Sequence, residues 1–155
     1  MPETEMIKGM TRSEYMKDWR RKNPGYGNER VRRCMQRDPI RTATSLIFRN
    51  AKNRARWRGV RFDIDASWLE ERLVEGKCEL TGFPFVFEIG SPFMPSLDRI
   101  TSRPGYTATN SRVIIWFANQ AKSDLDDDEF LNLLKLVVKG IITSRRRRPS
   151  RARSR

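Results

Sequence analysis

Apolar and polar positions divide the chain into a polar N-terminal stretch, a mixed middle and a charged end. Thr11 to Lys22 and Asn28 to Arg37 are helical in composition but polar nearly all round, and Asn23-Pro24-Gly25 breaks them. They predict two helices with little stability of their own. A stronger helix is predicted from Asp38 to near Gly59. Asp38 serves as N-cap, Pro39 sits in the first turn, and Ile40, Ala43, Ile47 and Ala51 fall on one stripe at spacings of 3, 4 and 4. Val60 to Ile64 alternates like a short strand. Asp65 then caps a helix that carries Trp68, Leu69 and Leu73 as core and ends at Gly76.

From Lys77 to Phe93 the turn-rich run KCELTGFPFVFEIGSPF predicts short strands around Gly82-Phe83-Pro84 with the phenylalanines packed inward. Leu97 to Ile100 reads as a strand end, Arg103-Pro104-Gly105 as a turn, Val113 to Ile115 as a second strand and Trp116 to Lys122 as a helix. Asp126, Asp127, Asp128 and Glu129 open a last helix with a stripe of Phe130, Leu134, Val137 and Ile141. Consecutive helical residues point in different directions, so the four carboxylates complement the helix dipole rather than converge on an ion. Trp57, Trp68 and Trp116 read as core packing, with base stacking as the alternative.

The length, 155 residues, suits one domain with appendages. Charge changes the picture more. Lys plus Arg number 32 against 19 for Asp plus Glu, a formal net of +13, and its distribution is uneven. Residues 1–58 carry 16 basic and 6 acidic side chains, 59–143 carry 9 and 13, and 144–155 carry 7 and none. The expected organisation is a basic helical N-terminal arm (1–58), a mildly acidic folded body (59–143) and a disordered Arg-rich tail (144–155). Such basic ends predict a polyanionic partner. The tail arginines Arg145, Arg146, Arg147, Arg148, Arg151, Arg153 and Arg155 are candidates for phosphate contact. So are Arg49, Lys52 and Arg56, which form a basic ridge at i, i+3 and i+7 on the strong helix. A solubilising tail and a solvated helix face are the plainer readings of the same residues.

The chain has no histidine, which removes the Ser-His-Asp triad, the Cys-His pair and every His-ligated metal. Cys34 and Cys78 are too few and too far apart for structural zinc or a disulfide framework. The start MPETEMIKGM lacks the features of a secretory signal, and the longest apolar run, Val113 to Ala118, is far below the ~20 residues of a membrane span. The expectation is a soluble cytoplasmic protein with no membrane partner.

The stretch PSLDRITSRPGYTATNSRVIIWFANQAKSD, Pro95 to Asp124, has the predicted order strand, loop, strand, helix. Asp98 is followed by Ile100, Asn110 opens the second strand, Asn119 lies nine positions on, and Lys122 one helical turn beyond. Over about Lys77 to Phe130 this resembles the HNH, or ββα-metal, endonucleases, and more narrowly their small phage-encoded members. The resemblance implies an α+β fold: a ββα-metal core between the basic arm and a C-terminal helix. It also implies a metal-dependent DNA endonuclease, in the host cytoplasm if phage-encoded. Asp98 and Asn119 would hold one Mg²⁺ or Mn²⁺, Asn110 would tether the loop and hold the Gly105-Tyr106 turn, and Lys122 would contact phosphate. Where the family has its water-activating histidine this chain has Arg99, which cannot be a general base. Arg99 would instead fork onto phosphate, with Glu79 and Asp124 as substitute bases to be placed. The alternative is a non-catalytic nucleic-acid-binding or packaging protein on a degenerate scaffold of this kind. Basic arms and aromatic residues do not distinguish DNA from RNA.

Overall fold

The computed structural model describes residues 6–7, 10–22 and 26–147. Two short strands, β1 (Met6–Ile7) and β2 (Met10–Thr11), pair antiparallel and lead into α1 (Arg12–Lys22). Helix α2 (Tyr26–Arg37) leads into α3 (Pro39–Arg58), whose start and end follow from two residues. The Asp38 side chain accepts from the Arg41 amide at 3.0 Å, and Gly59 closes the helix in the left-handed region at φ 65°. Ala43, Ile47, Ala51 and Ala55 are the buried stripe of α3.

The strand β3 (Phe62–Asp63) is shorter than the alternation predicts. It pairs parallel with β5 (Tyr106–Thr107). Gly105, at φ 80°, makes the approach possible: a Cβ there would strike the Arg61 backbone. Asp65 caps α4 (Ala66–Val74) by accepting from the Trp68 amide at 2.8 Å, and Leu69 and Leu73 are fully buried. Residues 77–93 do not form the expected strands. They contribute one isolated bridge, Lys77 to Pro84, among turns, because Gly82, Pro84 and Gly90 interrupt any ladder. Phe85 is buried there, but Phe83 and Phe93 are exposed and stack edge-to-face on each other.

The central hairpin is β4 (Pro95–Arg99) against β6 (Ser111–Ile115), antiparallel from Pro95↔Ile115 to Arg99↔Ser111. Side chains alternate across it. Leu97, Val113 and Ile115 join the core formed with α3 and α4. Ser96 and Asp98 face α5 (Trp116–Lys122), which follows β6 without a loop. The molecule is therefore mixed helix and sheet, an α+β arrangement with small sheets.

The last helix, α6 (Asp127–Arg147), opens with a reciprocal cap: Glu129 N donates to Asp126 and Asp126 N to Glu129. It continues through Arg147, so residues 144–147 are helical where disorder is expected. Arg148, Arg151, Arg153 and Arg155 lie outside the described residues. Among the described residues no helix is long and apolar enough to cross a membrane. Two of the three tryptophans read as core packing depart from that role: Trp57 is 87% exposed and Trp116 about half exposed, while Trp68 is partly buried against the core. Trp57 lies on the far side of α3 from Ala51 and Ala55, which take the core positions.

Candidate phosphate-binding cleft

The hairpin, the start of its connecting loop, α5 and the end of α3 enclose an open cleft of about 150 Å³. Its lining includes Asp98 and Arg99 from β4, Asn119 and Lys122 from α5, Asp124 just beyond, and Arg54 and Arg58 from α3. These are four cations against two carboxylates, with Arg54 and Arg58 contributed by the basic N-terminal segment to an otherwise net acidic body.

Asp98 is 3% exposed. Its Oδ2 accepts from Arg112 Nε at 3.0 Å, and its Oδ1 lies 3.5 Å from Lys122 Nζ. Arg112 is the cross-strand neighbour of Asp98 in the β4–β6 register, and its other nitrogens clamp the Asp127 carboxylate at 2.8 and 2.5 Å. One guanidinium thus joins the hairpin to the first turn of α6. Burial pushes the Asp98 carboxyl up from its ordinary value, opposed by Lys122 and Arg112. The Arg112 hydrogen bonds hold Asp127 below the usual carboxylate value.

Lys122 is 1% exposed, so it does not reach out to phosphate as its helix spacing suggests. Its ammonium sits among four oxygens: Asp98 Oδ1, the Arg99 carbonyl at 3.0 Å, the Ile100 carbonyl at 3.4 Å and, more distantly, Asp127 Oδ1 at 4.0 Å. Sequence spacing puts Lys122 on the Asn119 side of α5, but only docking against β4 turns that side inward.

The Asn110 side chain makes four hydrogen bonds. Oδ1 accepts from Thr101 N and Oγ1, both at 3.0 Å, and Nδ2 donates to Thr101 O at 2.9 Å and Gly105 O at 2.8 Å. It therefore ties both ends of the hairpin loop and holds Gly105 against Arg61. Asn119 Nδ2 donates to Ser96 Oγ at 2.7 Å and Leu97 O at 2.9 Å. Because a carbonyl can only accept, this fixes which end of the amide is nitrogen. No donor among the described residues takes the Asn119 Oδ1.

Arg99 faces the cleft but is occupied. It donates to Ser102 O at 2.6 Å and to Asp124 Oδ1 at 3.3 Å, and lies 5.5 Å from the Tyr106 ring centre. Asp124 also accepts from Arg58 at 3.2 Å. Of the two substitute carboxylates considered from sequence, Asp124 lies in the cleft, while Glu79 accepts from Val113 N and lies near Arg72, away from it. The ridge of Arg49, Lys52 and Arg56 is exposed but does not line the cleft. Arg54 and Arg58 do, one turn apart on a different face of α3. Hydrophobic spacing already marks that face as adjacent to the core stripe, the available signal for the pair.

The polar atoms allow a direct test of whether a divalent ion fits. Asn119 Oδ1 is oriented and without a donor, Asp98 Oδ1 has only the long Lys122 contact, and both residues line the same open cleft. Two oxygens with water completing the shell suit Mg²⁺, which keeps several waters. The nearby ammonium opposes it, so an ion here has to share Asp98 with Lys122. Among the described residues no three His, Cys, Asp or Glu side chains converge into a metal cluster, and both cysteines are free thiols. Comparison with protein-family models, curated proteins and solved structures finds no match.

Proposed function

We propose that this chain is an HNH-like, metal-dependent DNA endonuclease. The observation that carries the reading is the Asn119 amide: both its hydrogens are spent on β4, which leaves its oxygen without a donor on a residue that lines the same cleft as Asp98. Around it, the strand, loop, strand and helix of Pro95–Lys122 follow the order of a ββα-metal core, and Asn110 binds the loop. Asp98 and Asn119 would hold one Mg²⁺ or Mn²⁺. When bound, the ion supplies Lewis-acid polarisation of a scissile phosphate.

The chain's own residues do the rest. Arg54 and Arg58 face the cleft from α3 and supply positive charge for the flanking phosphates. Arg99, held between Ser102 and Asp124, keeps its guanidinium at the cleft wall and adds positive charge there. It cannot accept a proton, so attack on phosphorus relies on hydroxide from solvent or on Asp124.

Purified protein incubated with supercoiled plasmid and Mg²⁺ or Mn²⁺ is expected to yield nicked circles, and Asp98→Ala to lose that activity. Asp98→Ala cleaving as fast as the parent overturns the assignment. With no protein base the rate climbs through alkaline pH, whereas a plateau near neutrality marks a proton acceptor in the cleft.

A second reading, nucleic-acid binding without cleavage, is favoured by the two cations already on Asp98. Its signature is salt-sensitive DNA binding that persists in EDTA and in Asp98→Ala, with no nicking under either metal. Competition between DNA and RNA then identifies the polymer.

A further inference from the structure

We infer that the groove between α2 and α3 is a second nucleic-acid contact, a basic channel that holds a phosphodiester backbone apart from the cleft. The chain turns at Asp38, the one residue between the two helices, and the groove of about 460 Å³ lies between them. Arg30, Cys34 and Arg37 line it from α2, and Arg41, Ser45 and Arg49 from α3. These are helical spacings, so each helix turns one face to the groove. It shares no lining residue with the cleft.

Charge identifies what the groove takes. Its four arginines are exposed, and among the described residues none of the four guanidiniums has an ion-pair partner. Arginines elsewhere on the surface are neutralised locally: Arg33, off the groove on α2, pairs with Glu29, and Arg61 pairs with Asp63. The one acid in the groove, Asp38, spends its Oδ1 on the Arg41 amide as the cap of α3. Like charges facing one another across a groove repel, and a polyanion laid between them relieves the repulsion.

The chemistry of the walls selects a phosphodiester backbone among polyanions. A guanidinium forks onto phosphate through paired N–H groups, and Thr42 and Ser45 add hydroxyls to the α3 wall. Arg30 and Arg37 are seven residues apart and Arg41 and Arg49 eight, about 10 and 12 Å along their helix axes. Phosphates on one strand of a duplex repeat every ~3.4 Å along its axis, so each arginine pair spans about three of them. A recessed groove admits such a ridge of phosphates and keeps out a flat bilayer surface. This inference rests on the nucleic-acid partner of the proposed function, and on neither the metal nor cleavage.

The test uses the full chain and a fluorescent DNA duplex in EDTA, with affinity read by anisotropy over a range of salt. Arg30→Gln/Arg37→Gln/Arg41→Gln is expected to lower the slope of log affinity against log salt by about 3. All three side chains are exposed, so the variant should keep the parent's near-ultraviolet circular dichroism. An unchanged slope overturns the proposal. The exposed thiol of Cys34 lies in the groove while Cys78 is buried, which gives a second readout. Saturating duplex is expected to slow the reaction of Cys34 with N-ethylmaleimide several-fold, in the parent and in Arg54→Ala/Arg58→Ala alike. Glu70→Cys made with Cys34→Ser, on the exposed face of α4, should react at one rate with and without DNA. Equal protection of both positions means general coating and overturns the groove. Protection of Cys34 by polyglutamate or phosphatidylserine vesicles as strong as by duplex overturns the choice of a phosphodiester. Absence of nicking under Mg²⁺ or Mn²⁺ with these readouts intact defeats the endonuclease reading and leaves the groove standing.

Discussion

Asn110 shows how much one amide decides. Its donors and acceptors meet Thr101 and Gly105 on both sides of the loop, and each partner is left unpaired if the amide is removed. Asn110→Ala is expected to cost roughly 1–3 kcal/mol by urea denaturation. Asn110→Asp should not rescue it, because a carboxylate cannot donate to the two carbonyls. Asp127 and Asp98 carry pH effects of opposite sign. Asp127 is held below its ordinary value of 3.8 by Arg112, so its contribution is present above that value and lost as pH falls through the folded value. Asp98 is pushed above 3.8 by burial, so its ionisation costs stability as pH rises from 3.8 to the folded value. The melting temperature of Asp127→Asn should accordingly lie below the parent's at neutral pH, with the gap closing as pH drops below about 3.8. Calorimetry across that range checks it, and a gap independent of pH would contradict the Arg112–Asp127 account.

At the scale of elements, the joint between β4 and α5 is electrostatic as much as apolar. Lys122 is fully buried and spends its charge on Asp98 and two carbonyls. Lys122→Met should cost roughly 3–5 kcal/mol, because it leaves Asp98 with one fewer buried cation. Asp98→Asn/Lys122→Met should recover a large part of that loss, and a double-mutant cycle in urea measures the coupling. Full additivity would mean that the pair does not interact. The parallel join of β3 to β5 depends instead on the absence of a side chain at Gly105. Gly105→Ala combines a backbone collision with a positive φ and should destabilise by more than about 1 kcal/mol. These two joints explain why α5 and the loop present a fixed wall to the cleft.

At the scale of the molecule, the fold brings Arg54 and Arg58 of α3 beside Arg99 of the hairpin. If Arg54 and Arg58 each neutralise a phosphate, Arg54→Ala/Arg58→Ala should reduce the slope of log affinity against log salt by about 2. Replacing Arg49, Lys52 and Arg56 tests the outward face of the same helix by the same measurement. An unchanged slope in the first variant would mean that nucleic acid runs elsewhere.

Local chemistry makes several features legible in the chain itself. Asp38 and Gly59 bound α3, Asp65 starts α4, and Trp116–Lys122 is a helix directly after a strand, because caps and periodicity act over a few residues. The pattern of Asp98, Asn110 and Asn119 likewise locates the hairpin and its loop. Which way their atoms point depends on neighbours distant in sequence. Lys122 is turned into the protein by β4, Arg112 binds Asp98 and Asp127 together, and Arg58 rather than Arg56 reaches the cleft. The apolar stripe of α6, in which Phe130 is buried but Val137 and Ile141 are about half exposed, is of the same kind. The stripe is plain in the sequence, but whether the domain has surface left to cover it is settled only when every other element has taken its place.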